Sequence, residues 1–263
     1  MSTFITSLVL ILIGLAMFYP LFFTKIGRNS KGTRRFLQFN YLVHLIAGCS
    51  SVLLFWIYSV NYPLQLSGIV YLIVIVVVVL YYWKSPLPQW NLFSASIVFG
   101  VIVFIRSIRE IVQLTPLWPG VLIGLLSTGI IAISIFLFMI SIWKKFDKNT
   151  NLPSVPLILN TLIILIGIRI VWDLVILSSV KIEDQNGILM SVYHFFVQNN
   201  IYYLSITILF GLIVPLIIVF IWTKQSRVLN IKKIFWLSFG LLTSVLLSEF
   251  IFKYFLLQYG IVL

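Results

Sequence analysis

Eight stretches of this chain run for roughly twenty residues with almost no charge, the length a helix needs to cross a hydrocarbon core. They span residues 3–23, 36–58, 67–83, 91–112, 119–143, 156–178, 201–222 and 235–257. The chain of 263 residues is 61% hydrophobic and 9% charged, with mean hydropathy +1.14. A soluble domain of this size cannot hide that much apolar surface. The expectation is an all-α, polytopic membrane helix bundle of about eight transmembrane helices, with residues 1–263 forming a single transmembrane domain. The third stretch is rich in Val and Ile from Ile73 to Val79, a strand signature in water. In lipid the backbone must satisfy its own hydrogen bonds, so helix is the reading here too.

The basic residues orient the bundle. Thirteen of the 18 Lys and Arg fall in alternate loops, around residues 24–35, 84–90, 144–155 and 223–234, whereas the other connections hold only Lys181. The positive-inside rule places those four loops in the cytoplasm and both termini outside, in a protein integral to the cell membrane. Trp83, Trp90, Trp118, Trp143, Trp222 and Trp236 stand at segment edges, as an interfacial belt requires. The net charge of +12 is thus a topology signal. Its division among short loops beside lipid speaks against a nucleic-acid surface.

The first segment lacks the basic start of an ordinary signal peptide. Cys49 is the lone cysteine, which excludes an internal disulfide and a cysteine metal cluster. No HExxH or paired metal-ligand motif is present, so no metal is expected. The two halves show no convincing similarity, so an inverted-repeat transporter is not supported. From Gln185 to Thr223 no residue carries a formal charge, more chain than one crossing needs. Residues 188–197 read as an interfacial or re-entrant helix on the outer face.

Charge inside the apolar segments is the functional signal. Arg106, Arg109 and Glu110 lie in the fourth, Arg169 and Asp173 in the sixth, Glu249 and Lys253 in the eighth. Each costs roughly 3 kcal/mol on insertion scales, and intramembrane ionisable residues are functional candidates by default. At 1.5 Å per residue, Arg106, Arg169 and Glu249 each lie about 20 Å from the cytoplasmic end of their segment. In a core about 30 Å thick, that is the outer half. Arg106 and Glu110, Arg169 and Asp173, and Glu249 and Lys253 are each four apart, able to pair on one helix face. Two readings stay open: ion pairs that lock helices, or an outward-opening polar cavity ringed by all seven. Arg109 has no obvious i,i+4 partner and is the one expected to face a ligand or another helix. His194 is a candidate for the same site. His44 lies in the cytoplasmic half and reads as a packed, neutral histidine. The depth mismatch between the two argues against one bis-histidine haem, whereas a haem with other axial partners stays open.

Gly211-Leu-Ile-Val-Pro215 in a membrane helix, then Ser248-Glu249-Phe-Ile-Phe-Lys253-Tyr254 followed by Gly260, resembles the end of NrfD-type anchors of polysulfide reductases and DmsC-type anchors of DMSO reductases. Arg106-Ser-Ile-Arg109-Glu110 is similar to an Arg-Glu region of the same anchors. The likeness covers about a quarter of the chain. Lys253 stands where the family usually has arginine. The resemblance implies a quinone-reactive subunit without haem, passing electrons between the quinone pool (menaquinone or ubiquinone) and an iron–sulfur partner at the outer face, within a complex that also holds a catalytic subunit. It is an oxidoreductase subunit rather than a stand-alone enzyme. Glu249, Asp173, Glu110 and His194 would then handle protons. Arg106, Arg109, Arg169, Lys253 and Tyr202 would bind the carrier. The alternatives are a proton-coupled transporter and a purely structural or haem-binding anchor.

Overall fold

The computed structural model describes residues 3–25, 31–58, 62–84, 90–111, 117–146, 155–183, 189–199, 201–225 and 230–261. Among them, eight helices are long and apolar enough to cross a membrane. Helix α1 (Thr3–Phe18) tightens into a 3₁₀ stretch at Tyr19–Lys25, where Pro20 cannot continue the α-helical ladder. Then come α2 (Lys31–Tyr58), α3 (Tyr62–Lys84), α4 (Trp90–Ile111), α5 (Leu117–Phe146) and α6 (Val155–Ser179). Pro63, Pro119 and Pro156 sit in the first turns of α3, α5 and α6, where a missing N–H leaves no intrahelical bond unmade. The seventh crossing is α8 (Ile201–Ile208), a π turn (Leu209–Ile213) and α9 (Val214–Gln225). The eighth is α10 (Ile231–Tyr259). Gly260 ends α10 in the left-handed conformation, φ 67°, and its N–H returns to the Leu256 carbonyl. The Val/Ile-rich third segment is helical throughout.

Side-chain contacts divide the bundle into two faces. On one, the Tyr19 hydroxyl donates to Asn40 Oδ1 at 2.5 Å, Gln38 to the Trp83 carbonyl at 3.1 Å, and Ser238 to Ser141 at 2.7 Å. The Phe36 and Trp143 rings meet there, Tyr82 stacks on Phe93, and Lys145 lies over Phe235. The ends of α1, α3 and α5 and the starts of α2, α4 and α10 therefore share this face. On the opposite, terminal face, Phe4 at the start of α1 stacks on Phe250 near the end of α10, 5.3 Å between centroids. The grouping matches the alternation of charge in the sequence.

Central α5 packs against α1, α4, α6 and α10, and α1 and α5 are the most enclosed crossings. The element after α6 differs from the single helix expected over 188–197. Leu189–Ser191 (β2) pairs antiparallel with Lys181–Glu183 (β1), and a helix, α7, starts only at Val192 and runs to Asn199. The cause is local: the Ser191 hydroxyl accepts the His194 backbone N–H at 3.2 Å, an N-cap that fixes the helix start. Val192 and Phe196 then bury against Phe255 and Ile261, so α7 caps the terminal face.

Candidate functional site

Helix α6 turns one narrow stripe inward: Ile158, Leu159, Leu162, Ile166, Arg169 and Asp173. These recur at three- and four-residue steps, so both charges continue the apolar stripe and enter the core. Helix α10 does the same with Val245, Ser248, Glu249, Phe252 and Lys253. The four ionisable side chains are buried: Arg169 is 1% exposed, Glu249 and Lys253 3%, and Asp173 6%.

Arg169 is the hub. Its Nε lies 3.1 Å from Asp173 Oδ1, and its Nη1 lies 3.9 Å from Glu249 Oε1. Nη1 also donates to Ser127 Oγ of α5 at 2.5 Å. The guanidinium sits 4.0 Å from the centroid of the Phe252 ring, in cation–π range. Glu249 completes the set through Lys253, Nζ to Oε2 at 3.6 Å. Two cations and two anions cancel, which is how a buried group of charges becomes tolerable. The cancellation does not saturate the hydrogen bonds. Arg169 Nε and Nη2, Asp173 Oδ1 and Glu249 Oε2 have no partner in hydrogen-bond geometry among the described residues.

That spare capacity adjoins a cavity. A space of about 260 Å³ opens between α6, the seventh crossing and α10. Its walls include Leu174, Leu204, Ile208 and Ile213, with Phe252 behind, and only Asp173 and Thr207 bring polar side chains to it. Leu174, Ile208 and Ile213 are exposed on the outer surface of the bundle, so the space opens sideways, toward the lipid position. The π turn forms part of this wall. Pro215 has no N–H for the Gly211 carbonyl, and the turn before it widens, with Val214 N–H bonding to the Leu209 carbonyl. Gly211 lets this turn press on α10: a Cβ there would stand 2.6 Å from Ser248 Oγ. A larger groove of about 580 Å³ runs between the end of α1, α5 and α6. Its lining is apolar apart from Thr161, and it holds none of the charges.

The other expected site residues lie elsewhere. Arg106, Arg109 and Glu110 are exposed on α4 and enter none of the ion pairs among the described residues. The expected ring of seven charges is therefore four inside and three outside. Helix α4 buries Phe104, Ser107 and Ile108, and positions 106, 109 and 110 fall on the far side of that contact. Matched depth did not imply a shared side. His194 is exposed on α7, and Tyr202, at 82% exposure, stands at the start of α8. His44 is buried at the other level of the bundle, its imidazole against the Ala16 backbone. Ser127, Thr207 and Phe252 were missed. A serine or phenylalanine in a membrane helix looks like packing material, and only the cross-helix partner reveals its role.

Fold and site together define an α-helical membrane bundle of eight spans with a neutral charge cluster in its terminal half, beside a lateral apolar cavity. Neither family models, nor curated proteins, nor solved structures give a match to this chain.

Proposed function

We propose that the protein is a quinone-handling membrane subunit of a larger redox enzyme, exchanging electrons between the quinone pool and an iron–sulfur partner on the terminal face. One observation carries this reading: Asp173 belongs at once to the charge cluster and to the wall of a cavity that opens toward lipid. A quinone ring needs an apolar slot, a few convergent polar groups and a route for protons. The cavity suits a ring, with the tail left in the bilayer. The Asp173 carboxylate accepts a ring hydroxyl, and Thr207 can bond the other ring oxygen. A quinol releases two electrons and two protons. The electrons leave through the partner's iron–sulfur centre, since that centre and the carrier supply the redox chemistry. Asp173 accepts the first proton and, once that proton has passed to Glu249 across Arg169, the second. Of the three segments that carry the resemblance to NrfD- and DmsC-type anchors, two adjoin, Gly211 lying against Ser248, whereas Arg106–Glu110 lies outside the cluster.

The neutral sum and near-complete burial of the cluster favour a second reading, an ion-pair lock joining α5, α6 and α10. One experiment separates the two. Asp173→Asn and Glu249→Gln keep shape and remove charge. In the intact complex, quinol-linked turnover should fall on the order of 100-fold, the usual worth of a positioned proton acceptor. Turnover with an artificial donor to the soluble partner, and the amount of assembled complex, should hold. Unchanged quinol turnover per assembled complex, with lower yield or melting temperature, would leave the lock alone.

A further inference from the structure

The three charges that face outward on α4 have no role in the reading above. We propose that Arg106, Arg109 and Glu110 form a binding site for the headgroup of an amine-bearing zwitterionic phospholipid, the guanidiniums taking its phosphate and the carboxylate its ammonium.

The site is built on one helix face. Val98, Phe99 and Ile102 are exposed at 56%, 39% and 46%, and Arg106, Arg109 and Glu110 continue the same face toward the end of α4 at Ile111. At 100° per residue these six positions fall within about one third of the helix circumference. The lower half of the face is hydrocarbon, fit for acyl chains, and the upper end is charged. Arg106 and Arg109 are three residues apart and therefore neighbours on the surface. Two planar guanidiniums side by side match the oxygens of one phosphate.

Glu110 decides the headgroup. It is four residues from Arg106, a spacing that permits an internal ion pair, yet none of the ion pairs among the described residues includes it. It stands about 6 Å nearer the helix end than Arg106. A phospholipid presents its groups in that order, phosphate toward the hydrocarbon and amine toward water. A headgroup with no amine would set Glu110 against negative charge alone. A second copy of the chain is the weaker occupant. A two-fold axis along the membrane normal would bring Arg106 near its own image, a like-charge contact.

The test uses the full chain, purified and offered phosphatidylethanolamine, phosphatidylcholine and phosphatidylglycerol in equal amounts, with retained lipids counted by native mass spectrometry. The wild type should retain phosphatidylethanolamine several-fold over the others, and excess inorganic phosphate should not displace it. Arg106→Gln with Arg109→Gln should abolish the preference. Glu110→Gln should keep a bound phospholipid but lose the selection for the primary amine. Melting temperatures of the variants should match the wild type, which excludes unfolding as the cause. Equal retention of all three lipids by the wild type, displacement by inorganic phosphate, or an unchanged preference in the double arginine variant would each overturn the proposal. So would efficient cross-linking of two chains through Arg106→Cys, which would give the face to a second copy.

Discussion

Helices α4 and α6 carry similar charges at similar depth, and the bundle treats them in opposite ways. Arg169 and Asp173 on α6 are buried, paired and tied to two other helices. Arg106, Arg109 and Glu110 on α4 are exposed. The difference lies in register. On α6 the charges fall in step with Leu162 and Ile166 on its buried side; α6 packs against α5 and α9, and Arg169 reaches across to Glu249 of α10. On α4 they fall out of step with Phe104 and Ile108, which meet the core. A charge in a membrane helix thus gains its role from the side it shares with apolar neighbours, and depth alone does not assign it.

The comparison can be broken most forcefully at its buried end. Arg169→Ala would leave Asp173 and Glu249 buried without their shared cation, and removal of one member of a buried pair costs about 3–5 kcal/mol. Thermal unfolding in detergent should show the largest loss of any single substitution in the bundle. Replacing the whole cluster with apolar residues (Arg169→Met, Asp173→Leu, Glu249→Leu and Lys253→Met) should restore much of that stability, since no charge is left behind. Quinol-linked turnover should stay lost. Recovery of both together would mean that the cluster does nothing but hold helices.

The wall of the cavity gives an intermediate effect. In Gly211→Ala the new Cβ would meet Ser248 Oγ at 2.6 Å and Ser248 Cβ at 2.9 Å. Overpacking of this kind costs about 1–3 kcal/mol. Ser248→Gly should relieve it, so a double-mutant cycle should show coupling of at least about 0.5 kcal/mol between the two positions. Additive effects would mean that the π turn and α10 do not touch as described. The smallest effect belongs to α4: Arg106→Ala should change stability by no more than about 0.5 kcal/mol, as expected for a surface change. A loss near that of Arg169→Ala would show that Arg106 is buried against a partner, and would erase the contrast between the helices.

The crossings were legible in the sequence because hydrophobic length is a direct physical requirement of the bilayer. The grouping of helix ends on one face followed from the alternation of charge. Within the site, spacing of four identified Arg169–Asp173 and Glu249–Lys253 as pairs, and both pairs form. The same spacing suggested Arg106–Glu110, which does not. Local spacing shows that a pair can form, and the angle of each helix in the bundle decides whether it faces in. That angle is set by contacts between segments far apart in sequence, such as Ser127 with Arg169. The hairpin ahead of α7 was hidden for a related reason: three residues on each side suffice to form it, too few to leave a periodic pattern.

The claim that the cavity beside Asp173 receives the carrier's ring can be tested directly by photolabelling. A quinone analogue with a photoreactive group on its ring, added to the intact complex in membranes, should attach to Leu174, Leu204, Thr207 or Phe252, and excess native quinone should suppress the labelling. Labelling confined to the apolar groove between α1, α5 and α6, at Leu125, Ile133 or Leu165, or labelling that excess quinone does not suppress, would contradict the account.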